Sequence, residues 1–147
     1  LHDALPIWEL FDFVETYART GEPSPTTVLL MAAARRDFFL TVQHGQFYQG
    51  KPVIGYDLPG FGDELCGLPY LPRLIAKARA KLVGSMGDDI IYCCENDRRF
   101  FRDHGNIHPA DFLRVVWAAG DSDPKVYDYV RQRTLSVSSA VPDNEQM

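Results

Sequence analysis

Apolar residues along most of this chain recur three or four positions apart, the period of a helix with one covered face. From Trp8 to Arg19, the residues Leu10, Phe11, Val14, Tyr17 and Ala18 share one face, while Asp12, Glu15 and Arg19 turn away from it. Gly21, Pro23 and Pro25 end this first helix and make a short connector. A second helix is predicted from near Thr26 to about Gln43. Its run Leu29-Leu30-Met31-Ala32-Ala33-Ala34 consists of good helix formers, and Phe38, Phe39 and Val42 extend its apolar surface, as expected of a core helix.

The period then breaks. Gly45, Gly50, Pro52, Gly55, Pro59, Gly60, Gly62, Gly67 and Pro69 punctuate residues 44–69 too densely for a long helix. The expectation is one long ordered loop, with Gln46-Phe47-Tyr48 or Val53-Ile54 as a short extended piece. Its aromatics Phe47, Tyr48, Tyr56 and Phe61 set it apart from disordered segments, which are poor in them. A third helix is predicted from near Pro72 to about Val83, stopped by Gly84. Leu71, Leu74, Ile75, Ala78 and Leu82 form its apolar face, and Arg73, Lys77 and Lys81 form a neighbouring stripe at i, i+4 and i+8. A turn and a short extended piece, Ile90-Ile91-Tyr92, follow. Three further helices are predicted: Asn96 to His104, Pro109 to about Ala119, and one capped by Ser122 that ends near Arg133. Residues 134–147 have little apolar periodicity and are expected to form a flexible tail.

The pattern therefore predicts an all-α fold, an irregular orthogonal bundle of five to six helices with one long ordered loop. At 147 residues the chain fits one domain with a core of its own. The first seven residues, Leu1 to Ile7, resemble the translation of a common sequencing adapter and are set aside as a scar, which implies a reading frame truncated at its 5′ end. The helical domain then covers 8–133.

Charge and cysteine content narrow the function classes. A net charge of −5 argues against a global nucleic-acid footprint. No apolar run has the roughly 18 residues that span a bilayer. Cys66, Cys93 and Cys94, odd in number and two of them adjacent, make a poor disulfide framework and suit reduced thiols in the cytoplasm.

One part of the chain carries a recognisable string: Gly67, Leu71-Pro72-Arg73, Lys77-Ala78-Arg79-Ala80, Leu82, Gly84, Tyr92, Cys94, Asp97, Arg99-Phe100, Phe112 and Ser122-Asp123. In this order and spacing, residues Gly67 to about Arg133 resemble an uncharacterised bacterial family, domain of unknown function 5069. Ala76 stands where that family tends to have Asp, and Glu95 where it tends to have Pro. The resemblance implies a helical fold and carries no activity with it.

The candidate chemistry lies around the third helix. Arg73 and Lys77 are placed to receive a carboxylate or phosphate, against the alternative of a solvated face whose lysine stems cover the core edge. That alternative is preferred for Lys81. Tyr92, Cys94 and Asp97 fall at the start of the fourth helix, where the dipole favours a thiolate. Cys94 is thus a candidate nucleophile with His104 or His108 as base, and the plainer reading is a small buried cysteine and an Asp bonding first-turn amides. Metal-ligand and phosphate-loop spacings are missing from the sequence, so neither metal nor cofactor is expected.

The leading expectation is a domain that binds a small anionic molecule or a partner. Its pocket would lie between the 44–70 loop and the third helix, with Arg73 and Lys77 as anion contacts, Tyr48, Tyr56 and Tyr92 as walls, and Asp97 beside them. The alternatives are an enzyme with Cys94 as nucleophile, and a structural subunit marked by an exposed apolar patch on the first or second helix.

Overall fold

The computed structural model describes residues 5–140, which form six helices and a two-stranded hairpin. In order they are α1 (Ile7–Thr20), α2 (Pro25–Thr41), β1 (Glu64–Leu65), β2 (Leu68–Pro69), α3 (Leu71–Val83), α4 (Glu95–Asp103), α5 (Pro109–Ala119) and α6 (Asp123–Ala140). The fold is all-α apart from that hairpin. Among the described residues, no helix is long and apolar enough to cross a membrane.

Helix boundaries follow local chemistry. Ser24 caps α2, its hydroxyl accepting the Thr27 amide at 3.1 Å, with Pro25 in the first turn. Gly21 and Gly84 end α1 and α3 in the left-handed conformation that glycine adopts without a Cβ penalty. His108 caps α5 by accepting the Ala110 amide at 3.1 Å. The helix predicted to end near Arg133 runs on to Ala140; residues 141–147 of the expected tail, like 1–4 of the proposed scar, lie outside the described residues.

Helix α3 is the hub. It packs against α2, α5 and α6, and α5 also contacts α2 and α6. Leu71, Leu74, Ile75, Ala78 and Leu82 are buried on it, as the spacing predicts, and meet Phe100, Phe112 and Val116 in one core. Trp117 packs at the edge with its ring edge-on to Phe38. Each fully buried Leu or Phe stabilises the fold by about 1.5–3 kcal/mol.

The long loop is tied down at several points. Val53 makes a parallel bridge with Met86, and the Gly87 amide donates to the Val53 carbonyl at 2.7 Å. A Cβ at Gly87 would sit 2.8 Å from that carbonyl oxygen, so this close approach needs glycine. Residues 64–69 form the hairpin, Leu65 opposite Leu68, with Cys66 and Gly67 both at positive φ in the two-residue turn. Ile90-Ile91-Tyr92, expected to extend, belongs to no strand: the Ile90 carbonyl accepts the Trp8 indole N–H at 3.0 Å and the Tyr92 amide turns to a carboxylate of α1.

Helix α1 inverts its expected orientation. Glu9, Phe13 and Thr16 face inward, and Leu10, Phe11, Val14 and Tyr17 face solvent. Its inward face is held by an ion pair between Glu9 Oε1 and Lys81 Nζ, with Glu9 Oε2 accepting the Tyr92 amide at 2.8 Å.

Candidate functional site

The three loop residues Leu58, Pro59 and Phe61 lie over the first two turns of α3, and the start of α4 closes the space from the side. Between them is a cleft of about 200 Å³ lined by Leu58, Phe61, Tyr70, Arg73, Lys77, Asp89, Ile90, Ile91, Cys94 and Asn96. It is where the sequence places a pocket, with Arg73 and Lys77 both in its wall.

Lys77 enters from α3 and is nearly fully buried. Its Nζ lies 2.7 Å from Asp97 Oδ2 and 3.5 Å from Cys94 Sγ. Asp97 stands in the first turn of α4 with no exposure to solvent. Besides Lys77 it accepts the Cys93 amide at 2.9 Å, the Cys94 amide at 3.4 Å and the Tyr70 hydroxyl. One carboxylate thus caps a helix, neutralises a lysine and fixes a tyrosine, which leaves no unsatisfied acceptor in a dry site. Asp97 does not bond first-turn amides as expected but reaches back to the amides of Cys93 and Cys94 that precede the helix; nor is there a solvated lysine face, since Lys77 and Lys81 are both buried and ion-paired.

Arg73 is held differently. Nη1 donates to the Pro59 carbonyl at 3.0 Å, and the guanidinium lies over the Phe61 ring, 4.2 Å from its centroid. No carboxylate among the described residues comes within 4 Å of it, and its buried Nε has no hydrogen-bond partner. Across the cleft, Asp89 uses Oδ2 to accept the Gly55 amide at 2.9 Å.

Tyr70 is the aromatic wall that the sequence reading missed. It precedes α3 in a left-handed conformation, φ 75°, uncommon for a residue with a Cβ, and its ring lies between Phe61 and Phe100. Burial first, then the Asp97 carboxylate, pushes its hydroxyl far above the ordinary tyrosine value, so it remains a donor. Nothing in local sequence distinguishes it; only the turn of the hairpin brings it there.

The three tyrosines expected as walls lie elsewhere. Tyr48 is exposed and donates to the Lys51 carbonyl, Tyr56 is 94% exposed, and Tyr92 is buried with its hydroxyl on the Pro109 carbonyl. Burial raises the Tyr92 hydroxyl well above its ordinary value. Neither candidate base lines the cleft: His104 stacks on Phe100, and His108 caps α5. The cysteines divide into three environments. Cys66 is exposed; Cys93 is buried, its thiol raised far above the ordinary value chiefly by burial; Cys94 is half-buried and opens on the cleft beside Lys77. Among the described residues no group of three or more His, Cys, Asp and Glu side chains is placed to hold a metal ion.

A larger depression of about 330 Å³ lies between the α1–α2 connector and α4, but there Glu22 reaches Arg102 at 3.1 Å and Arg98 at 3.7 Å. There the arginines of the wall meet Glu22, whereas in the smaller cleft Arg73 meets no carboxylate within 4 Å among the described residues.

Fold and site together define a small helical domain with a cleft at the hub helix, walled by Arg73, the Lys77–Asp97 pair and Asp89. The chain belongs to the family described as Domain of unknown function (DUF5069), whose model matches residues 62–140. That segment carries Tyr70, Arg73, Lys77, Cys94 and Asp97. No curated protein and no solved structure matches the chain.

Proposed function

We propose that this domain binds a small carboxylate in the cleft between the 58–61 loop and α3, with Arg73 as the anion contact. The observation that carries the reading is the Arg73 guanidinium: oriented by Phe61 and the Pro59 carbonyl, at the cleft wall, with no acid partner among the described residues. Arg presents a planar fork suited to a carboxylate. Lys77 positions rather than neutralises, because Asp97 already answers its charge. Leu58 and the rings of Phe61 and Tyr70 enclose the ligand's apolar part. The volume, below the roughly 300–1,000 Å³ of drug-sized sites, suits a ligand of a few heavy atoms. The three unpaired thiols support a reducing, cytoplasmic setting.

The test is a titration of small mono- and dicarboxylates and of inorganic phosphate, followed by amide NMR shifts. Saturable shifts at residues 58–61 and 73 are expected for a carboxylate. Arg73→Gln should weaken binding about tenfold to a hundredfold, the range of a charge-assisted hydrogen bond. Absence of saturable shifts with every anion, or unchanged affinity in Arg73→Gln, rejects the reading.

The contact between Lys77 Nζ and Cys94 Sγ favours a second reading, in which Cys94 acts as a nucleophile on the bound molecule. Cys94 stands at the N-cap of α4 and its sulfur opens on the cleft, where an electrophilic carbon of a bound molecule would meet it. Site-resolved labelling with iodoacetamide decides it. Cys94 should react faster than exposed Cys66 despite being less accessible; a slower Cys94 removes the nucleophile.

A further inference from the structure

We infer that the ligand of the cleft is an aminocarboxylate, its carboxylate on Arg73 and its ammonium group on Asp89. The inference rests on the reading of the cleft as a carboxylate site and names the class of molecule that the site selects. Three charged side chains line the cleft: Arg73, Lys77 and Asp89. Asp97, 2.7 Å from Lys77 Nζ, answers that lysine. One charge of each sign remains. Among the described residues neither Arg73 nor Asp89 has an ion-pair partner within 4 Å, and the two do not meet each other. Opposite charges that share a cleft of about 200 Å³ without touching leave a gap that a molecule carrying both charges fills.

The same loop sets both poles. The Pro59 carbonyl accepts Arg73 Nη1 at 3.0 Å, and four residues earlier the Gly55 amide donates to Asp89 Oδ2 at 2.9 Å. Drawing the two charges together would cost one of these bonds, so the loop keeps them apart. Asp89 Oδ1 accepts no hydrogen bond among the described residues, which leaves that oxygen for a ligand N–H. Asp89 is exposed and Arg73 half-buried, so the ammonium group lies toward solvent and the carboxylate deeper. Leu58, Phe61, Ile90 and Ile91 supply the apolar lining for the carbon skeleton.

A ligand of one sign fits this wall less well. A dicarboxylate or a phosphate gains on Arg73 and is repelled by Asp89, and a simple amine meets the reverse. The pair of poles therefore selects a pattern of charges, not a net charge. Because Asp89 is exposed, its share of the affinity is that of a surface ion pair.

The experiment is a set of amide NMR titrations on the full chain near neutral pH, with two matched pairs of probes. Free alanine is compared with propionate, and γ-aminobutyrate with butyrate. The two amino compounds differ in the distance between their charges and so report the span of the site. In at least one pair the amino member should bind about fivefold tighter than its plain analogue, with added shifts at residues 55 and 89. Asp89→Asn should remove that preference and leave the affinity for the plain acids unchanged or higher. Its amide oxygen still accepts the Gly55 N–H, so the loop contact is kept. Equal affinity within both pairs overturns this inference and leaves the carboxylate reading standing. So does a preference that persists in Asp89→Asn. If none of the four probes binds, the carboxylate reading falls and this inference with it.

Discussion

Helices α1 and α3 have the same kind of sequence and opposite fates. Each carries an apolar stripe beside charged residues at helical spacing. In α3 both stripes end inside: Leu74, Ile75 and Ala78 form the core, and Lys77 and Lys81 are buried with acids that meet them. In α1 the apolar stripe faces out, and Glu9 faces in. The two are joined by the pair that causes the difference, Glu9 with Lys81. A periodic pattern marks two faces of a helix; it does not state which one is buried. A charge with a buried counter-charge waiting can decide which side of a helix turns inward.

If buried pairs decide this architecture, removing one partner is expected to be the most costly change. Asp97→Ala strands Lys77, the Tyr70 hydroxyl and two amides; a loss of about 4 kcal/mol in urea unfolding is expected. Glu9→Ala should lose about 3 kcal/mol, and a double replacement, Glu9→Leu with Lys81→Met, should lose less than either single change because no charge is left stranded. A double variant as unstable as the singles would show that packing, not charge pairing, orients α1.

Alkaline pH separates buried from exposed groups by a smaller effect. Cys93, Tyr70 and Tyr92 all hold their protons in the fold beyond the ordinary values of 9.0 for the thiol and 10.0 for the phenols. The unfolded chain releases those protons first, so their contribution is whole below pH 9 and declines as pH rises above it. The urea midpoint should fall from pH 9 upward, with the Cys93→Ala variant falling later. The smallest effect belongs to the outward stripe of α1. Val14→Ala, at an exposed position, should change stability by no more than about 0.5 kcal/mol, whereas Leu74→Ala should cost about 3 kcal/mol. Equal losses would erase the distinction between the two helices.

Much of the fold was legible. Pro72, Gly84 and Pro109 punctuate helices where the chain places them, and the α3 core follows from spacing alone. A cleft does lie between the end of the aromatic loop and α3, with Leu58 and Phe61 on one side and Arg73 on the other. Its aromatic walls were not legible. Tyr48 and Tyr56 are as aromatic as Phe61 and Tyr70, and only tertiary geometry separates those that turn out from those that turn in. The pairing of Lys77 with Asp97 and of Lys81 with Glu9 spans 20 and 72 residues, separations at which local periodicity carries no information. The orientation of α1 was misread for that reason.

The central claim is that Arg73 makes the cleft attract anions at a point within reach of Cys94. Its most direct test compares alkylation of Cys94 by iodoacetate and by iodoacetamide, with exposed Cys66 as the internal reference. In each reaction sulfur bonds to carbon, iodide leaves with the bonding pair and the thiol proton goes to solvent. Relative to Cys66, Cys94 should favour the anionic reagent, and Arg73→Gln should abolish that preference while leaving the iodoacetamide rate unchanged. Equal preference at both cysteines, or a preference that survives Arg73→Gln, would contradict it.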